Sequence, residues 1–159
     1  MPGLVPGIHV LAAREDVDGR DKPGHDDDRM IRVMIDHISI AVRDIKAAEA
    51  FYTALLAPLG LTKLREWAHA AVGYGKTYPE FWINSRAGMT PVNADSGVHV
   101  CLRAPSTKAV DAFHAAALSG GGTSDGEPGL RPEYNDRYYA AFVCDPDGNR
   151  IEAVTFVTP

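Results

Sequence analysis

The feature that most limits what this chain can fold into is an internal repeat. His37 to Gly60 matches His99 to Gly122 at a constant offset of 62 residues. Lys46, Ala47, Ala50, Phe51, Ala54, Leu56 and Gly60 recur as Lys108, Ala109, Ala112, Phe113, Ala116, Leu118 and Gly122. Such a repeat predicts two similar supersecondary units, each with a histidine at the start of its first strand. Two histidines from pseudo-symmetric strands are one way to build a shared metal site, so the other ligands have to be sought in the rest of the chain.

The local signals define each unit. IDHISIAV alternates polar and apolar residues and reads as a strand. Asp44 is the expected N-cap of a helix running through Ala47, Ala50, Phe51, Ala54 and Leu55 toward Pro58 and Gly60. LTKLREW, AHAAVGYG and EFWIN follow as short strands. The second unit restarts at GVHVCLRA, with Ser106 as cap and a helix ending at Gly120, Gly121 and Gly122. Thr123 to Asp136, rich in Gly and Pro, is expected as a loop before the strand YYAAFVC. DPDGN is a turn, and RIEAVTFV is the last strand. The order is βαβββ twice, an α+β class.

Alternation along strands sorts the side chains by face. His37, Ser39 and Ala41 oppose Ile38, Ile40 and Val42. His99 and Cys101 oppose Val98, Val100 and Leu102. Glu152 and Val154 oppose Ile151, Ala153 and Thr155. The aliphatic faces suit packing against the helices, and the other faces then line a cavity that receives His37, His99 and Glu152. A carboxylate in such a cavity is costly without a compensating cation, which points to a two-histidine, one-carboxylate metal site. Singly, each residue also has a plainer reading: a hydrogen-bonded strand histidine, or an edge-strand glutamate.

Residues 1–33 differ from the rest. They carry Pro2, Gly3, Pro6, Gly7, Pro23 and Gly24 and the run Asp26, Asp27, Asp28, and are expected to be a disordered extension. GIHVLAAREDVDGRDKPGHDDD also resembles a repetitive-element translation, which predicts a working start at Met30 or Met34. His9 and His25 are read as part of a solvated tail. No positive segment leads into a sustained apolar core, so no signal peptide is expected. The folded part is expected over 34–159, with modules at about 34–96 and 97–159.

A length of 159 residues suits one domain or two small modules sharing a core. The net charge of −5 argues against nucleic-acid or anionic-membrane partners, and no apolar run approaches the roughly 18 residues of a membrane span. Cys101 and Cys144 are expected as buried, reduced thiols of a cytoplasmic protein.

A doubled βαβββ unit with DHISIAVRD at its start and DPDGNRIE at its end resembles the vicinal oxygen chelate superfamily. That superfamily holds glyoxalase I, extradiol dioxygenases, methylmalonyl-CoA epimerase and the fosfomycin and bleomycin resistance proteins. The resemblance covers about Met34 to Phe156 and implies a cup-shaped mixed sheet with flanking helices and the ligands inside. It implies His37, His99 and Glu152 as metal ligands, the positions used by the extradiol dioxygenases. A fourth ligand, present in the fullest sites, falls on Trp82 when EFWIN is aligned with RIEAV; a two-residue shift would bring in Glu80 instead. Loss of that ligand favours dioxygenase-like geometry over glyoxalase-like lyase or isomerase chemistry, since three facial ligands leave open positions.

Around this set the aromatics are expected to serve the substrate. Tyr138 or Tyr139 is the candidate acid catalyst, and Trp82, Phe142 and Arg131 are candidate substrate contacts. His114 is expected to pack or face solvent, and His69 is not fixed by any pattern. The expected function is a divalent-metal enzyme, using Fe(II), Mn(II), Zn(II), Ni(II) or Co(II), on a small oxygen-chelating substrate. A metal-free sequestering module of the bleomycin-resistance type is the alternative, and a degenerate structural homologue a third reading. A homodimer is expected, as small members of this superfamily commonly pair.

Overall fold

The computed structural model describes residues 35–68 and 70–158. The expected extension over 1–33, with His9, His25 and the alternative starts, and His69 lie outside the described residues.

Each repeat folds as a strand, a helix and three strands. The first comprises β1 (Ile38–Val42), α1 (Ile45–Leu56), β2 (Thr62–Trp67), β3 (Ala71–Gly75) and β4 (Pro79–Ser85). The second comprises β5 (His99–Arg103), α2 (Thr107–Ser119), β6 (Thr123–Leu130), β7 (Tyr138–Cys144) and β8 (Arg150–Phe156). The sheets run β1-β4-β3-β2 and β5-β8-β7-β6. In each, the first strand pairs in parallel with the last, and the other pairs are antiparallel.

The helix starts are set by local chemistry. Asp44, in an extended conformation, accepts from the amides of Lys46 and Ala47, and Ser106 accepts from Ala109 N. Both satisfy donors that a first helical turn leaves unpaired. A 3-10 turn at Ala57–Leu59 stops the chain after α1, and Gly60 caps it at a φ of 77°.

One core serves both modules. Phe51, Tyr52, Leu55 and Leu56 of α1 and Val110, Phe113 and Ala117 of α2 join Phe81, Ile83, Val143 and Ile151 from the sheets. Each helix lies on the sheet of its own module, and the two helices pack on each other. Ile38, Ile40, Val100 and Leu102 turn into this core, so the opposite sheet faces point away from it.

The segment expected to be a loop, Thr123–Asp136, begins as strand β6. Pro128 is tolerated because β6 is an edge strand with only β7 beside it. Its pairing with β7 shifts register between Ser124 and Gly126 and again between Gly126 and Gly129. Gly126 lets β6 lie close on Phe142: a Cβ there would stand 2.9 Å from Phe142 Cδ2.

The DPDGN turn does more than reverse the chain. Asp145 accepts from the amides of Asp147 and Asn149 and from Asn149 Nδ2, and Tyr52 OH of the first module donates to its Oδ2 at 2.7 Å. Asp147 accepts from Arg43 N at 2.9 Å and pairs with the Arg43 guanidinium, while Asn149 Nδ2 donates to Ala41 O. The turn therefore locks the second module onto the end of β1.

Candidate metal half-site

Strand pairing decides what stands beside what. In the first sheet Ser39 pairs with Trp82, and in the second Cys101 pairs with Glu152. Ser39 and Cys101 are equivalent by the repeat, so Trp82 occupies in module one the position of Glu152 in module two. Glu80, two residues earlier on the same face, is exposed and lines a cleft with Lys76, Phe81 and Arg103.

Glu152 is only 2% exposed, because β8 is interior to its sheet. Tyr138 OH donates to its Oε1 at 2.6 Å, and His99 Nε2 lies 3.2 Å from its Oε2. The His99 side chain remains 49% exposed. The Tyr138 ring is held edge-on between Tyr134 and Phe156, at 5.5 and 5.4 Å between centroids. Desolvation, then the hydrogen bond to Glu152, raises the Tyr138 phenol well above its ordinary pKa. The Cys101 thiol, 3.8 Å from Tyr138 OH, is pushed up to about 12, first by desolvation and then by Glu152. These groups hold their protons at neutral pH.

The remaining candidates separate. His37 shares the outward face of β1 with Ser39, but it is exposed and its Nδ1 meets Asp36 Oδ2 at 3.2 Å. Among the described residues of one chain, no group of three His, Cys, Asp or Glu side chains is placed to hold a metal ion. A single chain thus brings His99 and Glu152 together without His37, because its modules pack through their helices. Tyr139 turns to the opposite face from Tyr138 and donates to Asp111 of α2 at 2.8 Å, so it stands away from Glu152. Arg131 donates to Glu127 O and Leu130 O and lies 5.5 Å over the Phe142 ring, so its guanidinium is already engaged. Phe142 pairs with Glu152 across β7 and β8. Trp82 stacks at 5.2 Å on Trp67, which is 47% exposed. His114 is buried, with Nε2 2.8 Å from Ser124 Oγ, tying α2 to β6.

Both cysteines are free, but Cys101 is exposed and Cys144 half-buried, contrary to the expectation of two buried thiols. The reason is alternation: Val100 and Leu102 take the core side of β5, and Cys101 faces out. The same alternation places Arg103 on the outward face, where it lies 4.5 Å over the Phe156 ring. Sequence reasoning stopped at Cys101, although the pattern in HVCLR extends one step further.

The chain's donor set fits a divalent metal in part. An imidazole and a carboxylate converge at one spot, and a phenol holding the second carboxylate oxygen is the kind of support that orients a metal ligand. Two protein donors fall short of the three that a catalytic centre of this type uses.

The fold agrees with the comparisons. The model of the Glyoxalase/Bleomycin resistance protein/Dioxygenase superfamily matches residues 34–153, and the chain belongs to that superfamily. A solved glyoxalase/bleomycin resistance protein from Albidiferax ferrireducens T118 is 32% identical, with a TM-score of 0.67 over 77% of this chain and 98% of that one. A glyoxalase/dioxygenase from Nostoc punctiforme shares 17% identity and a TM-score of 0.60, covering 90% of this chain and 100% of that one. A lactoylglutathione lyase from Agrobacterium tumefaciens shares 19% identity and a TM-score of 0.53, over 76% of this chain and 91% of that one. The last two share the fold alone. No curated protein matches the chain. No helix among the described residues is long and apolar enough to cross a membrane.

Proposed function

We propose that the protein is a divalent-metal enzyme for a small substrate with adjacent oxygens, its site completed between two copies of the chain. The observation that carries this is the buried Glu152 carboxylate paired with a half-exposed His99 on an outward sheet face. The third ligand is His37 of a second copy. Support comes from the exposure of His37 and from the apolar side chains around both outward faces. Trp67 on one, and Tyr134 and Phe156 on the other, are exposed in a single chain. A second copy laid across them removes apolar surface from water.

The metal, when bound, supplies a Lewis acid that polarises the chelating oxygens or a site where dioxygen is activated. The protein's part is positional. Tyr138 keeps Oε1 of Glu152 engaged and leaves Oε2 toward His99. Trp82, standing where a fourth ligand would, leaves a coordination position open and offers an aromatic surface with Trp67 to a substrate ring. That substitution favours dioxygenase-like chemistry over lyase or isomerase chemistry.

A metal-free sequestering module is the second reading, favoured by the same Trp67–Trp82 pair and by a Glu152 already satisfied through Tyr138 and His99. Metal content by plasma mass spectrometry separates the two. Near-stoichiometric metal that disappears in a His37→Ala/His99→Ala double variant supports the enzyme. No metal in either protein after reconstitution overturns it in favour of the binding module.

A further inference from the structure

We propose that Arg103 is a carboxylate-binding residue of this site, so that the substrate is a small organic acid. Its chelating oxygens would lie at the His99–Glu152 pair and its carboxylate at the guanidinium; the inference rests on the metal-site reading above. Along β5, His99, Cys101 and Arg103 are exposed while Val100 and Leu102 turn to the core. The Arg103 guanidinium carbon lies 4.5 Å from the centroid of Phe156. Phe156 meets the Tyr138 ring at 5.4 Å and 82°, and Tyr138 OH holds Glu152. Three contacts in series therefore fix Arg103 relative to the carboxylate of the half-site.

The donors of Arg103 are free, unlike those of the arginines on the neighbouring strands and loop of its own sheet. Arg131, Arg137 and Arg150 donate to Glu127 O, Val157 O and Asp125 Oδ2 respectively. Among the described residues, Arg103 donates to no protein acceptor and forms no ion pair. Glu80 and Lys76 line the cleft beside it, and their opposite charges leave Arg103 as the net positive group there. A guanidinium stacked on a ring keeps its fork of N–H groups in one plane, the geometry that grips a carboxylate through two parallel bonds.

The spacing suits one small molecule. Arg103 pairs with Val154, two residues beyond Glu152 on β8, or roughly 7 Å along the strand at about 3.3 Å per residue. A carboxylate a few bonds from a pair of chelating oxygens spans that gap. A neutral analogue would leave the guanidinium with water alone.

The test compares 3,4-dihydroxybenzoate with its neutral analogue 3,4-dihydroxybenzamide, by titration calorimetry on the full chain with and without cobalt(II). The adjacent hydroxyls of both ligands supply the chelating pair, and only the first carries a separate carboxylate. Wild type is expected to favour the acid by about tenfold, the order expected for one charge-assisted hydrogen-bonded contact. Arg103→Gln should erase that preference, and Arg103→Lys should restore part of it. Equal weakening of both ligands in Arg103→Gln, no preference in wild type, or no binding of the acid at millimolar concentration would overturn the inference. Cobalt uptake, read separately by absorbance, keeps the two readings apart. Cobalt bound without preference for the acid sinks the role of Arg103 alone. An Arg103-dependent preference without cobalt uptake sinks the metal site alone.

Discussion

The phenol of Tyr138 donates to Oε1 of Glu152 at 2.6 Å while His99 Nε2 stands 3.2 Å from Oε2. The two carboxylate oxygens therefore have different tasks, one anchored within the sheet and one turned to the histidine. Removing the anchor should loosen the ligand without dismantling the strand. Tyr138→Phe is expected to weaken cobalt(II) binding by about 10- to 100-fold, the usual effect of losing a group that orients a metal ligand. Its cost in stability should be near 1–3 kcal/mol. Calorimetric titration with cobalt, beside urea denaturation, reads both. An unchanged cobalt affinity would show that Tyr138 does not position Glu152.

The lock between the modules should be the most sensitive point for stability. Asp145 is buried and accepts from Tyr52, Asp147 and Asn149. Asp145→Ala leaves those donors unpaired and should cost about 3 kcal/mol, against about 1 kcal/mol for Tyr52→Phe. Urea midpoints of the two variants give the comparison.

The same residue predicts a pH effect of known sign. Burial, the largest influence, raises the Asp145 carboxyl above its ordinary value, and hydrogen bonds from Asn149 and Tyr52 offset part of this. The folded state then holds its proton to higher pH than the unfolded chain does. Between the two pKa values the folded state binds more protons, so this residue's contribution to stability rises as pH falls. The stability gap between wild type and Asp145→Ala should widen from pH 6 toward pH 4. A gap that narrows on acidification would contradict the assignment.

Gly148 should tolerate no side chain. Its φ of +85° is left-handed, and a Cβ would stand 2.7 Å from Val92 O. Gly148→Ala is expected to cost more than about 1 kcal/mol, since steric contact adds to the backbone penalty. Thermal melting of the variant checks this.

Much of the architecture was legible in the sequence because the repeat and the alternation are strong, local signals. The caps at Asp44 and Ser106 and the opposed faces of β1 and β5 follow from single residues and their spacing. Strand β6 was not legible, because Gly126 and Pro128 are turn formers everywhere except on an edge strand that bulges against Phe142. Cys101 was misplaced because its apolar neighbours suggested burial, whereas strand geometry turns every second residue outward. The separation of His37 from His99 had no local signal at all. Equivalent strands of a repeat can be brought together within a chain or between chains, and here the packing of α1 on α2, together with the Tyr52–Asp145 and Arg43–Asp147 contacts, sets the arrangement within one chain.

The most direct test of the shared site is subunit mixing. His37→Ala and His99→Ala chains, each unable to bind metal alone, are unfolded together and refolded in equal amounts. If His37 of one copy completes the His99–Glu152 pair of the other, half of the resulting dimers carry one intact site. Metal content should then return to about a quarter of the wild-type level, as random pairing in a two-fold dimer requires. No recovery of metal on mixing would place all ligands of any site within one chain and contradict the account.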